Sequence, residues 1–162
     1  MLKEMCVGTL GEYYSMLEFY FLGAQSVDRV DHAGIDLVVY SGKNYGVSVK
    51  TRDVLLHPNS SISLNYNDVV LCWEQAKIRG LIPAFAFCVI DEDGFHLLIV
   101  EHQLIFSHLC REIGREIGSI ENYIERYEND QKHASLNVSI APSKRRDFWP
   151  TLQGVPGVIL VK

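Results

Sequence analysis

The chain has 162 residues, of which 48% are hydrophobic and 22% charged, with a formal net charge of −5. This balance predicts one domain (residues 1–162) with a sizeable buried core and excludes a low-hydrophobicity disordered chain. It also excludes nucleic-acid binding by the whole surface, because phosphate contact needs positive charge and here that charge must be local.

Residues 9–22 place Leu10, Tyr13, Tyr14, Leu17 and Phe21 at helical spacing. Thr9 and Glu12 have the spacing of a capping box, and Gly23 is the expected stop. A strand over 24–30 and a turn at Asp31-His32-Ala33-Gly34 lead into strands over 35–40 and 45–51. These two are joined at Ser41-Gly42-Lys43-Asn44, a Gly/Asn-rich hairpin signal. Residues 54–66 form a polar loop with a short strand at 62–64. Asn67 or Asp68 then caps a helix ending near Arg79 and Gly80. Strands over 84–90 and 95–100 flank the Asp91-Glu92-Asp93-Gly94 turn, and helical patterns return over 103–113 and 119–129. Residues 135–140 alternate as a strand does, Lys144-Arg145-Arg146 is basic, and 158–161 is a closing strand.

The order helix, three strands, helix, two strands predicts an α/β fold with a mixed central sheet flanked by helices in three layers. The core spans residues 1–100, and 101–162 is a helical and strand extension. No Gly-rich phosphate loop is present, which argues against nucleotide-binding folds. No apolar run reaches the length of a membrane span. Met1-Leu2-Lys3-Glu4-Met5-Cys6 mixes acid and base without a long apolar region, so no secretory signal is read there. Cys6, Cys72, Cys88 and Cys110 are scattered, as buried thiols of a reduced cytoplasmic protein would be, and form no zinc pattern. The six histidines show no ligand spacing either.

The chemistry concentrates in the central hairpin. Asp36 opens its first strand, and Ser48, Lys50 and Arg52 alternate on the second, projecting from one face while Thr51 faces away. A carboxylate beside a lysine on otherwise apolar strands is the residue set of a metal-dependent phosphodiester-cleaving site. Lys144-Arg145-Arg146, followed by Phe148 and Trp149, is the best basic-plus-aromatic segment for a nucleic-acid backbone.

Gly11-Glu12 on the first helix, Gly23 at its end, Asp36 opening a strand and Ser48-x-Lys50-Thr51 on the next resemble the PD-(D/E)xK nuclease superfamily. That group includes many restriction endonucleases, archaeal Holliday-junction resolvases and some homing endonucleases. The resemblance covers about the first hundred residues. It implies the restriction-endonuclease-like fold and a Mg²⁺- or Mn²⁺-dependent DNA endonuclease of restriction, repair or resolvase type. Asp36 would be the central metal ligand and the Val49 carbonyl a backbone ligand, with Glu12 holding a second ion or a metal-bound water. Lys50 would orient the attacking water or bind the scissile phosphate, and Arg52 would contact a phosphate. DNA is the implied partner, and a homodimer is the form that could cut two strands.

Ser48 departs from the pattern, which places an acid or glutamine there; a hydroxyl is a poor ligand for a hard divalent cation. In a subset of restriction enzymes with Asp…Ser-x-Lys, a glutamate on the following helix supplies the missing charge, and Glu74 is the candidate here. Ser48 and the acidic net charge also support a rival reading: an inactive nuclease fold kept as a module that binds nucleic acid or a protein.

Overall fold

The computed structural model describes residues 2–58, 60–112 and 115–162. Helix α1 (Leu2–Phe21) is followed by β1 (Ser26–His32), β2 (Ile35–Tyr40) and β3 (Tyr45–Asp53). A short β4 (Ser61–Leu64) leads into α2 (Tyr66–Ile78), then β5 (Ile82–Asp91) and β6 (Gly94–Glu101). Beyond it lie a hairpin of two-residue strands, β7 (Arg111–Glu112) and β8 (Arg115–Glu116), then α3 (Ile120–Tyr127), β9 (Leu136–Ser139) and β10 (Val158–Val161).

Six strands form the central sheet in the order β1-β2-β3-β5-β6-β10. Only the β3–β5 pair is parallel. A parallel pair needs a long crossover, and here β4 and α2 supply it, so α2 packs on β3 and β5. The expected architecture is therefore present: a mixed α/β sheet, mostly antiparallel, between helical layers. On one face Phe19 of α1 covers Leu37, Val39, Val47, Ala86 and Ile99. On the other, Val69, Cys72 and Ala76 of α2 join Phe85, Phe87 and Val100, and Phe106, Tyr123 and Trp149 extend that core.

Local chemistry sets the helix ends. α1 stops where Gly23 adopts φ +94°, with Ala24 N–H donating to Phe19 C=O and Gly23 N–H to Tyr20 C=O, a Schellman motif. Its start differs from expectation. The helix begins at Leu2, so Thr9 lies inside it, because residues 2–7 hold neither glycine nor proline and the single Gly8 costs only about 1 kcal/mol. Asn65 caps α2 in place of Asn67 or Asp68. Its side chain accepts from Asp68 N–H, while the Asp68 carboxylate accepts from Asn65 N–H.

The helix expected over 103–113 is a single wide turn, Ile105–Leu109, followed by extended chain. Its apolar period comes from Leu104, Ile105, Phe106 and Cys110 packing into the core, and Cys110 is already extended at φ −122°, ψ 136°. Ile113, the expected end, and Asn59 of the polar loop lie outside the described residues. Of the cysteines, Cys72, Cys88 and Cys110 are buried and Cys6 is exposed, contrary to expectation; burial pushes the three inner thiols up to about 12. Among the described residues no helix is long and apolar enough to cross a membrane.

Candidate active site

Antiparallel pairing of β2 with β3, Leu37 opposite Val47, brings the start of β2 alongside Ser48 and Val49. The Val49 amide then donates to the Asp36 carboxylate at 2.7 Å. Asp36, Ser48, Val49 and Lys50 line one cleft of about 200 Å³ with Asn65, Asn67 and Asp68 at the N-terminus of α2. Gly34 lets the floor close. Its φ is +92°, and a Cβ there would lie 2.6 Å from the Leu71 carbonyl carbon and oxygen, so the β1–β2 turn is wedged under α2.

Asp36 also lines a second cleft, of about 380 Å³, with Glu12, Arg29, Asp31 and His32. Glu12 reaches it because α1 sits tightly on β3. A Cβ on Gly11 would lie 1.8 Å from Thr51 Oγ1, so only glycine permits that approach. Glu12 makes an ion pair with Arg29 rather than a capping box. Asp36 thus stands between Glu12 on one side and Lys50 on the other. Burial raises the Asp36 carboxyl above its usual range, the Val49 amide and the Lys50 and Arg29 charges oppose this, and Glu12 adds to the rise.

The sequence did not single out Asp68 for the site, and it is the acid that α2 presents to this cleft. Its carboxylate meets the Lys50 ammonium at 2.5 Å. The available signal was its place in the first turn of the helix after Lys50, where a capping acid points back toward the strand ends. Ser48 is buried.

Five sequence candidates lie elsewhere. Glu74 is exposed farther along α2 and lines neither cleft; its charge is felt by Tyr66, which stacks on Tyr123 of α3. Asp68, not Glu74, is the α2 acid that lines the Asp36 cleft. Arg145 is not a surface cation. Its side chain is 6% exposed, donates from Nε to the Ile140 carbonyl at 2.9 Å and pairs with Asp91. Burial of the Asp91 carboxyl acts to raise it, but the Arg145 and His96 hydrogen bonds outweigh burial and hold it at about 2. Lys144 and Arg146 are exposed but lie outside both clefts: Lys144 sits over the Phe148 ring beside a separate cavity, and Arg146 pairs with Asp147. Arg52 also lines neither cleft; it is half-buried, with its Nε lacking a hydrogen-bond partner among the described residues.

The chain is similar in fold to a Holliday junction resolvase. This is Hjc from the archaeal hyperthermophile Archaeoglobus fulgidus, solved at 1.6 Å resolution, with a TM-score of 0.54 and 16% identity over 82% of this chain and 84% of that one. At that identity the likeness speaks for the fold. No protein-family model matches the sequence, and no curated protein does.

The residues around Asp36 fit a hydrated divalent ion. No group of three or more His, Cys, Asp or Glu side chains capable of holding a metal occurs among the described residues. Mg²⁺, however, keeps several waters and is commonly held by one or two carboxylates. Asp36 is half-buried, its carboxyl is raised by desolvation and further by the Glu12 charge, and a cation beside it would relieve both effects.

Proposed function

We propose that this chain is a divalent-metal-dependent DNA endonuclease that hydrolyses phosphodiester bonds, in the manner of restriction, repair or resolvase enzymes. The observation that carries this reading is Asp36, which stands between the Glu12 and Lys50 clefts with its carboxylate oriented by the Val49 amide. Asp36, Glu12 and the Val49 carbonyl would hold the ion, which would supply a water of lowered pKa and charge neutralisation on phosphate. Lys50 binds the scissile phosphate as a compact charge or orients the attacking water. Asp68 replaces Glu74 as the helix acid: it fixes the Lys50 ammonium where the strand alone would leave a flexible side chain. Ser48, buried and in the lining of the same cleft as Lys50, carries no charge. Arg52, Lys144 and Arg146 remain candidate phosphate contacts outside the clefts, and Arg145 is structural.

A second reading, an inactive nuclease fold that binds DNA or a protein, draws on one observation. Both charged flanks of Asp36 are satisfied internally, Glu12 by Arg29 and Lys50 by Asp68. One experiment separates the two. Supercoiled plasmid and a four-way junction are incubated with wild type, Asp36→Ala and Lys50→Ala in Mg²⁺ or Mn²⁺, with ion binding followed by calorimetry. Wild type should bind the ion and nick, Asp36→Ala should do neither, and Lys50→Ala should lose about 100-fold or more of the rate. Absence of ion binding and of cleavage of either DNA by wild type refutes the enzyme reading.

A further inference from the structure

A cavity of about 760 Å³, larger than either cleft at Asp36, lies in the C-terminal part of the chain. Ligand sites commonly occupy about 300–1,000 Å³. The wide turn Ile105–Leu109, β8, β9 and a second wide turn, Lys144–Phe148, meet around it. Its wall has two characters. Leu109, Val138, Phe148 and Trp149 make an apolar side, and Trp149, 1% exposed, is fixed in the core. Ser107, His108, Glu116, Ser139 and Lys144 make a polar side. A hydrogen bond of 2.8 Å between Ser107 Oγ and His108 Nδ1 holds the imidazole, and the exposed Lys144 places its ammonium 5.4 Å over the Phe148 ring centroid.

We propose that this cavity takes an unpaired nucleotide of DNA, with its base on the apolar wall and its phosphate at Lys144. The inference rests on the DNA-endonuclease reading and names its substrate class: DNA with single-stranded nucleotides rather than intact duplex. Chemistry selects the occupant. A cation beside an aromatic and aliphatic surface is how single strands are held, the charge on the backbone and the apolar surface against the base. The Glu116 carboxylate repels phosphate and accepts from base N–H groups, so the two ends of the nucleotide are sorted between Glu116 and Lys144. An acyl chain would set hydrocarbon against the five polar side chains and is disfavoured. A paired base must first leave its stack to enter, which costs least where the strand is already single.

Position joins the cavity to the Asp36 cleft. Val138 and Ser139 of its wall pair with Ile62 and Ser61 of β4. β4 runs into Asn65, which lines the Asp36 cleft with Lys50. The extended chain from Ser61 to Asn65 reaches at most about 13 Å, and the spacing between strands adds about 5 Å. At about 3.4 Å per stacked nucleotide, a strand with its phosphate at Lys50 reaches the cavity within about five nucleotides.

Fluorescence anisotropy on the full chain, without divalent ion, tests this apart from cleavage. The probes are a labelled mixed-sequence single strand of about ten nucleotides, the blunt duplex of that length, and free dCMP as competitor. Wild type should bind the single strand about 10-fold or more tighter than the duplex, and dCMP about 100-fold or more weaker than the single strand. Lys144→Ala should lose about 5-fold in affinity and lower the slope of log affinity against log salt by about 0.7. Ser139→Trp, which fills the cavity, should abolish the preference for single strands. Lys77→Ala, exposed at the opposite end of α2 from Asp68, should change neither affinity nor slope. The proposal is overturned by absence of single-strand binding, by equal affinity for duplex, or by dCMP binding as tightly as the oligonucleotide. An unchanged salt slope in folded Lys144→Ala, or a single-strand preference surviving in folded Ser139→Trp, overturns it too. Failure of the nuclease reading looks different: single-strand binding persists while ion binding and nicking are absent.

Discussion

Gly34→Ala probes the wedge that holds Asp36 against α2. Two costs add at this position. An L-residue in the left-handed region costs about 1–2 kcal/mol. The new Cβ would also lie 2.6 Å from Leu71 backbone atoms, which cannot move aside as a flexible side chain could, adding about 1–3 kcal/mol of overpacking. Gly23 isolates the first cost, since its φ of +94° matches the +92° of Gly34 and a Cβ there meets nothing within 4 Å. Urea denaturation should therefore show Gly34→Ala losing about 2–5 kcal/mol and Gly23→Ala about 1–2 kcal/mol. The surplus in Gly34→Ala measures the contact between the β1–β2 turn and α2. Equal losses in the two variants would refute the argument that this turn is wedged beneath the helix, and with it the account of how Asp36 is placed.

Arg145→Ala strips the half-buried Asp91 carboxylate of its main partner and leaves the Ile140 carbonyl without its donor, and should cost about 1–3 kcal/mol in thermal denaturation, while Arg146→Ala, at a side chain 74% exposed, should stay within about 0.5 kcal/mol. A small loss for Arg145→Ala would restore it as a surface cation. Stability against pH should fall in two stages. His102, buried between Phe85 and Phe106, is lowered by burial from 6.5 to about 4; the unfolded chain takes up the proton first, so stability falls by up to about 3 kcal/mol as pH drops from 6.5 to 4. Asp91, held at about 2 against an ordinary 3.8, stabilises fully above 3.8, and about 2 kcal/mol is lost as pH falls toward 2. A flat profile between pH 6.5 and 4 in chemical denaturation would contradict the first stage. Lys50 and Asp68 are about one-quarter exposed, so a Lys50→Met/Asp68→Asn cycle should give a coupling near 1 kcal/mol that shrinks with salt; zero coupling at low salt would mean the pair does not hold Lys50.

The sequence by itself determined the central hairpin, the β5–β6 pair, the closing strand and the rise of Ser48 and Lys50 from one face of β3. These are local consequences of period-two alternation, turn chemistry and β-branched residues, and they need no knowledge of distant partners. The α2 cap was misplaced by two or three residues, because Asn65, Asn67 and Asp68 all have capping chemistry and only the helix axis chooses among them. The wide turn at Ile105–Leu109 mimicked a helix, since burial of Leu104, Ile105 and Phe106 imposes the same period whatever the backbone does. Tertiary structure alone decided the partners of the charges. Whether a carboxylate meets Lys50 depends on how the chain between β3 and α2 doubles back, and it delivered Asp68 rather than Glu74. The same folding carried Arg145 inward to Asp91 while leaving its neighbours Lys144 and Arg146 in solvent. A run of like charges looks uniform in sequence; it separates into core and surface only once the rest of the molecule has packed around it.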